Sequence, residues 1–468
     1  MKKIFVCGMI FLASSSLYAA KGLKQLTIQT PKGTLFFPDL IDSSGKVIKI
    51  GPDYIKFSPT NPACLDPVNN PCFAETPASL ACVYHLTTYD GACNPQNKNL
   101  PPPSGGWGTI ALVAAKYDAN AFNDLTQFSN QFTPNNVLTA CTKVGDLGKS
   151  TPCFCQIDAG VAITAATPCT NGSFSNNPTC EAVNPANNTC YETSIDTQWS
   201  HSMAPKASIL LVQSCSAQTQ DTECQGLGIT TVLQDAIVTA SQAVSLQGGG
   251  EISQSYSFPE YPTETTDGND ATRASYNNIV YLNSSGDEGT PARYPSSSPY
   301  VIAAGATSII RDAKGNFIEE IAWGTFPADP TTKTHSSGGI SLYEPRPSFQ
   351  NIVQRLVGTH RGTPDISFNG NPATGMFIYD SNGSDCPSNN WCISGGTSLA
   401  SPALAGIINV ATGGPTSTTA ELNKIYNGFI KNYTHYWREI TKGYNGLYAG
   451  KGYNLVTGIG TPLTYQGK

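Results

Sequence analysis

The chain has 468 residues, of which 39% are hydrophobic and 13% are charged, and its formal net charge is -6. Because an average soluble domain is about 25% charged, this composition excludes a protein built from long charged helices, and 44 glycines and 33 prolines indicate many loops. The acidic balance, without any basic run, excludes nucleic acid as an expected partner.

The first residues have the pattern of a secretory signal. A basic start, MKK, precedes the apolar run IFVCGMIFLA and the small residues SSSLYAA. This order predicts a signal peptide over residues 1–19, with cleavage after Ala19. A membrane anchor is the alternative, but the apolar run is too short for a hydrocarbon core of about 30 Å. We therefore expect a monomer, secreted or periplasmic, that does not bind membranes.

The cysteines point to the same compartment. There are 15, and an even number remains once Cys7 leaves with the signal, as is typical of exported proteins with disulfides. The irregular spacing does not match zinc-ligand patterns. Local pairing is the expectation for neighbours in the sequence, but the connectivity stays open; the cysteines concerned are Cys64/Cys72, Cys82/Cys93, Cys215/Cys224, Cys386/Cys392 and a middle group of Cys141, Cys153, Cys155, Cys169, Cys180 and Cys190.

Two regions differ in pattern. Residues 20–104 are irregular and contain many Pro and Asn residues, and the stretch PPPSGG (Pro101–Gly106) is typical of a linker. Residues 105–468 alternate apolar strands and helices and are predicted to form one large domain. Within it, residues 141–190 are predicted to be a surface segment rich in Cys, Asn, Thr and Pro.

The elements of this domain, in chain order, predict an α/β fold. Strands alternating with helices, and apolar throughout, indicate a doubly wound, mostly parallel sheet with helices on both faces. Ligands of such sheets bind at the carboxyl ends of the strands. The predicted elements are strand Gly108–Ala115, helix Ala119–Phe132, helix Cys190–Pro205, strand Ala207–Gln213, helix Ile229–Val244, strands Glu251–Ser257, Asn278–Asp287 and Tyr300–Ile309, and helix Thr397–Ala411.

Ser398, in the stretch SGGTSLASP, is a candidate nucleophile. Two glycines precede it and allow another backbone to approach, and it lies at the start of a predicted helix. Free N–H groups and the dipole at a helix start favour the negative charge of a tetrahedral oxyanion. The alternative is that Thr397 or Ser398 only caps the helix.

The base for this serine is not an obvious histidine. None of the five histidines (His85, His201, His335, His360, His435) precedes a glycine, as the histidine of subtilisin-type enzymes does. Glu192 and Asp196 are four residues apart, so they share one face of their predicted helix. Two carboxyls this close share a proton, which raises one pKa and makes a base that works in acid. The alternative is an ordinary solvated pair.

Asp287 is a third candidate acid. It follows an apolar strand in the turn SSGDEG, with Glu288 beside it, and active-site groups collect where such strands end. The alternative is an aspartate that only forms the turn.

Taken together, these segments resemble the sedolisin family of serine-carboxyl peptidases, which has a subtilisin-like fold. The resemblance runs from about Thr76 to Pro462 and includes, in the family's order, TPASLACVYHL, TIALVAAKYDANAFNDLTQFSNQF, ETSIDTQWSHSMAPKASILLV, SSGDEG, YPSSSPYVIAAGATS, SSGGIS, TPDISFNGNPATGMFIYDS and GGTSLASPALAG. It implies that Ser398 is the nucleophile, Glu192 its general base and Asp196 the residue that shares the proton of Glu192. Asp287 would be protonated and would donate to the oxyanion, which requires low pH.

The resemblance also implies where a substrate lies. The strand EISQSYS, with Ser253, Gln254 and Ser255, would flank the substrate backbone. An extended peptide could pair with the edge of that strand.

A calcium site is implied near the C terminus. Its ligands would come from Glu439, the carbonyls of Ile440, Gly450 and Gly452, and Asn454, and oxygen ligands suit Ca²⁺. Family members have Asp where Glu439 and Asn454 stand. The loss of one carboxylate lowers the charge of the site and therefore its affinity.

Two functions are compatible with this sequence. One is a secreted serine-type endopeptidase, active in acid, that hydrolyses proteins through a Ser-Glu-Asp triad and an acyl-enzyme. The other is an inactive peptidase homologue that binds peptides or a protein partner. The four intact catalytic positions favour the first function. The altered calcium ligands and the short segment 20–104, which is either a reduced pro-segment or none, favour the second.

Overall fold

The computed structural model describes residues 74–114, 117–171, 190–214, 234–266, 268–312, 314–324, 334–382, 386 and 390–468, and it describes residues 24–30, 33–41, 47–49 and 229–233 as backbone only. The predicted signal peptide lies outside the described residues, as do the predicted pairs Cys64/Cys72 and Cys215/Cys224.

The strands, in chain order, are β1 (Lys24–Thr30), β2 (Gly33–Ile41), β3 (Val47–Lys49), β4 (Thr109–Ala114), β5 (Thr139–Ala140), β6 (Cys153–Asp158), β7 (Ser208–Gln213), β8 (Gly250–Gln254), β9 (Phe258–Pro259), β10 (Ile279–Ser284), β11 (Arg293–Tyr294), β12 (Ile302–Arg311), β13 (Phe317–Ala322), β14 (Gly339–Pro345), β15 (His360–Thr363), β16 (Ile366–Asn369), β17 (Met376–Tyr379), β18 (Trp391–Ser394), β19 (Trp437–Arg438) and β20 (Thr461–Pro462). The α-helices are α1 (Pro77–Val83), α2 (Ala121–Phe132), α3 (Cys190–Met203), α4 (Ile229–Leu246), α5 (Gly268–Ser275), α6 (Gln354–Val357), α7 (Thr397–Thr412) and α8 (Thr418–Tyr436). Each element predicted from the sequence is present, with shifted ends.

The central sheet has nine strands in the order β13-β12-β10-β8-β4-β7-β6-β5, with β16 also paired to β12. All of its pairs are parallel except the pair of β12 with β13. The chain passes from β4 to the side of β7 and then returns to the other side at β8. This reversal places a crevice at the carboxyl end of β4, which is where open α/β sheets bind ligands.

Both faces of the sheet are covered by apolar side chains. In β4, Ile110 and Leu112 face one core and Ala111 and Val113 the other, because successive side chains of a strand point to opposite faces. Helices α3 and α7 contribute to the first core, and Ala236 and Ile237 of α4 contribute to the second. The prediction of a doubly wound parallel sheet is therefore confirmed.

The boundary predicted at residues 104/105 does not separate two packing units. Helix α1 is capped by the Thr76 side chain, which accepts a hydrogen bond from the Ser79 N–H, and Pro77 occupies its first turn. Leu80 and Val83 of this helix are fully buried in the same core as the sheet. The residues before Pro101 lack helical periodicity over any long stretch, and for this reason a buried helix of about two turns was not predicted from the sequence.

The prediction that residues 141–190 form only a surface segment is also wrong in part. Strand β6 lies inside the sheet between β7 and β5, and its residues Cys153–Ile157 are buried. Disulfides join this region locally, as Cys141–Cys153 and Cys155–Cys169. The expected pairs Cys82–Cys93 and Cys386–Cys392 are confirmed. Among the described residues, no helix combines the length and apolar character needed to cross a membrane.

Candidate active site

The two glycines before Ser398 are required by close contacts. A Cβ at Gly395 would lie 2.5 Å from the carbonyl oxygen of Gly370. Gly396 has a φ of +101°, in the region that favours glycine, and its N–H donates to the same Gly370 carbonyl. These contacts hold the chain in a sharp turn between β18 and α7, so that Ser398 lies in the first turn of the helix.

Pro402 leaves the carbonyl of Ser398 without its usual partner. In an α-helix the N–H of residue 402 would donate to the carbonyl of residue 398, but proline has no N–H. The hydroxyl of Ser255, just after β8, lies 3.1 Å from this carbonyl oxygen. The same hydroxyl lies 2.7 Å from Oδ1 of Asp196. Ser255 therefore connects the backbone of the candidate nucleophile to one of the candidate acids.

Glu192 and Asp196 occupy the first turns of α3. Asp196 is fully buried, whereas Glu192 is half-buried. Burial raises the pKa of Asp196 well above its usual value, the charge of Glu192 raises it further, and the Ser255 hydrogen bond acts in the opposite direction. The two predicted acids are thus electrostatically linked, and the burial of Asp196 does not agree with the alternative of an ordinary solvated pair.

Helices α3 and α7 pack with their backbones almost in contact. A Cβ at Gly406 of α7 would lie 2.6 Å from Cβ of Met203 and 2.7 Å from the carbonyl oxygen of Ser200. Only glycine permits this approach. The contact fixes the spacing between the helix that carries Glu192 and the helix that carries Ser398.

Asp287 also contacts the first turn of α7. It lies in the turn after β10, and its Oδ1 accepts hydrogen bonds from the Thr397 N–H and the Thr397 hydroxyl, each at 2.8 Å. Burial raises the pKa of Asp287 to about 6, and the charge of Glu288 adds to this shift. The hydrogen bonds from Thr397 and the charge of Arg293 lower the pKa in part.

Two polar groups border the position that a Cβ of Gly396 would occupy. A Cβ on this residue would be 3.0 Å from Oδ2 of Asp287 and 3.6 Å from the backbone nitrogen of Ser398. The missing side chain leaves a cradle bordered by these two groups. A backbone N–H and a protonated carboxyl are both donors, so the cradle can accept an oxyanion.

The strand predicted to flank a substrate is paired on both sides over most of its length. Over Gly250–Gln254, β8 is paired with β4 on one side and with β10 on the other, so this stretch has no free edge. The Ser253 hydroxyl lies 2.8 Å from that of Ser401, and Oε1 of Gln254 accepts from Nη2 of Arg273 at 3.0 Å. The predicted pairing of a peptide with this strand can only involve residues beyond Gln254.

Several residues of the site were not assigned a role from the sequence. Thr397 was interpreted only as a possible cap, although it orients Asp287. Glu288 accepts from the Asp287 N–H at 3.0 Å and lies 3.3 Å from Nε of Arg293. The effect of Pro402 could have been predicted from the sequence, since a proline four residues after Ser398 has no N–H to donate to the Ser398 carbonyl. His201 lies at the other end of α3 and contacts the Asn136 carbonyl, as a structural histidine would.

The predicted calcium ligands also lie together. The side-chain amide of Asn454 faces the carbonyl oxygens of Ile440, Gly450 and Gly452. The carboxylate of Glu439, an exposed residue, accepts a hydrogen bond from the Gly452 N–H.

Two curated proteins are similar to this chain over part of their length. Sedolisin from Pseudomonas sp. (strain 101) is 31% identical over 194 residues, which cover 38% of this chain and 31% of sedolisin. Kumamolisin from Bacillus sp. (strain MN-32) is 29% identical over 210 residues, which cover 40% of this chain and 35% of kumamolisin. The chain thus spans about a third of the length of these curated relatives.

A solved structure supports the same fold. It is Pseudomonas sedolisin, a serine-carboxyl proteinase complexed with two molecules of pseudo-iodotyrostatin. The TM-score is 0.59 at 21% identity, and the alignment covers 84% of this chain and 96% of that one. The subtilase family model matches residues 176–425, which is more than half of the chain and includes Glu192, Asp196, Asp287 and Ser398. The protein therefore belongs to the subtilase family, and the resemblance to sedolisins found in its sequence is confirmed.

Proposed function

We propose that the protein is a secreted serine-type endopeptidase that works in acid through Ser398, Glu192 and Asp196, with Asp287 as the oxyanion donor. The observation that carries this proposal is that two buried carboxyls are linked by hydrogen bonds to the first turn of α7. Asp196 reaches it through Ser255, and Asp287 reaches it through Thr397.

The hydrogen bonds of Ser255 support a neutral Asp196. A hydroxyl has one hydrogen, but the Ser255 oxygen lies within hydrogen-bonding distance of two acceptors. Both contacts are satisfied if Asp196 is protonated and donates to Ser255, which then donates to the Ser398 carbonyl. The shared proton of the pair therefore belongs on the more buried Asp196. Glu192 is left as the carboxylate that can accept a proton.

In the first chemical step, the Ser398 oxygen attacks the carbonyl carbon of the scissile peptide bond, and its proton passes to Glu192. The carbonyl oxygen becomes an oxyanion. The tetrahedral intermediate then expels the amine, which takes the proton from Glu192, and an ester remains on Ser398. Water hydrolyses this acyl-enzyme by the same steps, with Glu192 again accepting and returning the proton.

Asp287 sets the pH range of this chemistry. Its Oδ1 already accepts two hydrogen bonds from Thr397, so a proton on the carboxyl belongs on Oδ2, which borders the cradle beside Gly396. Protonated, Oδ2 donates to the oxyanion; ionised, it repels it. With a pKa of about 6, the group is a donor in acid and loses this role as the pH rises above 6.

Substrates and compartment follow from the same features. The match to the subtilase family of peptidases and the serine site favour protein or peptide substrates. Four disulfides among the described residues favour an oxidising location, and the start of the sequence favours export through a signal peptide.

The test is proteolysis of a denatured protein at about pH 4, with fragments identified by mass spectrometry. We expect the wild-type chain to produce fragments, Ser398→Ala to produce none, and Glu192→Gln to be nearly inactive because an amide cannot accept the proton. Ser401→Ala, on the same helix, is the matched control and should retain cleavage. Full activity of Ser398→Ala contradicts the mechanism. A wild-type chain that binds peptides without cutting them is the inactive homologue and contradicts the proposed activity.

A further inference from the structure

The amide of Asn454 sits at the centre of the predicted calcium site. Its Nδ2 lies 3.0 Å from the carbonyl oxygen of Gly450, 3.3 Å from that of Ile440 and 3.5 Å from that of Gly452. The distances to Gly450 and Ile440 lie in or just above the range of N–H···O hydrogen bonds, which is about 2.7–3.2 Å. Ca²⁺–oxygen distances are shorter, at about 2.3–2.6 Å. The carbonyls that would bind a cation are therefore gathered around a nitrogen donor.

The other end of the same amide fixes its orientation. Oδ1 of Asn454 accepts from the N–H groups of Val456 and Thr457 at 3.1 and 3.0 Å, and from the Thr457 hydroxyl at 3.2 Å. A flipped amide would place Nδ2 against two N–H donors and Oδ1 against three carbonyl oxygens. The Thr457 hydroxyl can accept as well as donate, but the contacts with the backbone groups would all be repulsive, so only one orientation is compatible with the surrounding backbone.

These residues do not fit a calcium ion. Asn454 is 6% exposed, and neither end of its amide is free to turn an oxygen toward a cation. The acidic side chain of the predicted set, Glu439, already accepts from the Gly452 N–H at 2.7 Å. Among the described residues, the group of His, Cys, Asp and Glu side chains close enough to share a metal is Cys82, Asp90 and Cys93, and its two cysteines form a disulfide.

We propose that the side-chain amide of Asn454 replaces the cation in this chain, so that the C-terminal loops are held together without calcium. The two N–H bonds of the amide satisfy the carbonyls of Gly450 and Ile440, and its oxygen closes the turn at residues 454–457. One isosteric change separates this arrangement from a cation site. Asn454→Asp keeps an oxygen for the turn but places a second, negatively charged oxygen among the carbonyls, where repulsion favours a divalent cation.

The experiment compares the full chain and its variants after treatment with EDTA, with and without added CaCl2. Calcium binding is measured by isothermal titration, and the Tm by calorimetry at one pH. For the wild type we expect no saturable binding up to about 1 mM calcium, the range of extracellular sites, and the same Tm in both buffers. For Asn454→Asp we expect saturable binding of about one ion, a lower Tm in EDTA, and a rise of about 2–4 °C or more when calcium is added.

Asn454→Ser is the control, since it removes the amide and adds no charge. Its Tm should fall and should not be restored by calcium. The proposal is overturned if wild-type calcium binding is saturable and is lost in Asn454→Ser, or if a folded Asn454→Asp binds no more calcium than the wild type. Should Asn454→Asp fail to fold, a wild-type Tm that falls in EDTA overturns the proposal, and an unchanged Tm supports it. None of these readouts depends on peptidase activity.

Discussion

Replacing Asp287 with asparagine separates its role as a donor from its titration. The structure determines how the amide would sit. Oδ1 accepts two hydrogen bonds from Thr397, so the asparagine oxygen takes that place and its NH2 points into the cradle beside Gly396. The variant then resembles a carboxyl that is protonated at every pH.

The expected magnitude follows from the raised pKa of Asp287. With a pKa of about 6, the neutral fraction falls about tenfold for each pH unit above 6, to about one part in a hundred at pH 8. The amide has no such loss. Half of Asp287 is neutral at about pH 6, so the ratio of kcat/KM of Asp287→Asn to that of the wild type should rise about 50-fold between about pH 6 and pH 8, even if the variant is slower in acid.

The assay is hydrolysis of a fluorogenic peptide from about pH 3 to pH 8. The ratio of variant to wild type is informative because the titration of Glu192 and Asp196 is common to both enzymes and cancels. Asp287→Ala is the matched control: it offers no donor, so its rate should be about 10²–10³ lower in acid, the usual effect of removing one oxyanion donor. A ratio for Asp287→Asn that stays constant across this range refutes the reasoning.

Three further predictions concern stability. Burial raises the pKa of Asp124 to about 7. A raised carboxyl pKa stabilises the fold at low pH, and this stabilisation is lost as the pH rises through 7. Between about pH 4 and pH 7, the free energy of unfolding of the wild type, measured with urea, should therefore fall by about 3 kcal/mol more than that of Asp124→Asn, and an equal pH dependence of the two proteins would count against the buried charge. Gly406→Ala forces a Cβ against Met203 and should lower both the Tm and kcat at about pH 4, whereas a wild-type Tm would mean that the helices move apart freely. Replacing Cys82 and Cys93 with alanine opens a short loop and should cost about 2–4 kcal/mol in urea unfolding; no change would show that the helix before it holds the loop alone.

Much of the fold could be predicted from the sequence pattern, because the strands of the central sheet are apolar runs bounded by turn residues; these are β4, β7, β8, β10 and β12. Strand β6 was not predicted, because two cysteines and a glutamine interrupt its apolar pattern. All three are buried in the structure, and both cysteines are paired in disulfides. Helix α1 was missed because two turns of helix are too short to show a period. In both cases burial was decided by neighbours that are distant in sequence.

The candidate site was also predicted only in part: its candidate residues came from the sequence, but several of their contacts did not. The four candidates Ser398, Glu192, Asp196 and Asp287 were predicted from the four-residue spacing of two acids and, above all, from the resemblance to sedolisins. The bridging role of Ser255 and the orientation that Thr397 gives to Asp287 depend on contacts between β8, β10 and α7. Likewise, the resemblance implies that Asn454 stands where sedolisins have an aspartate, but the sequence does not indicate that its nitrogen faces three carbonyls.

The near contact of α3 and α7 at Gly406 has a consequence for engineering. Glu192 and Ser398 are carried on two helices locked together through their backbones, not on the loops that surround the crevice. Loops other than the turn that carries Asp287 can therefore be exchanged without moving Glu192 relative to Ser398, provided that Gly406 at the helix crossing is left intact.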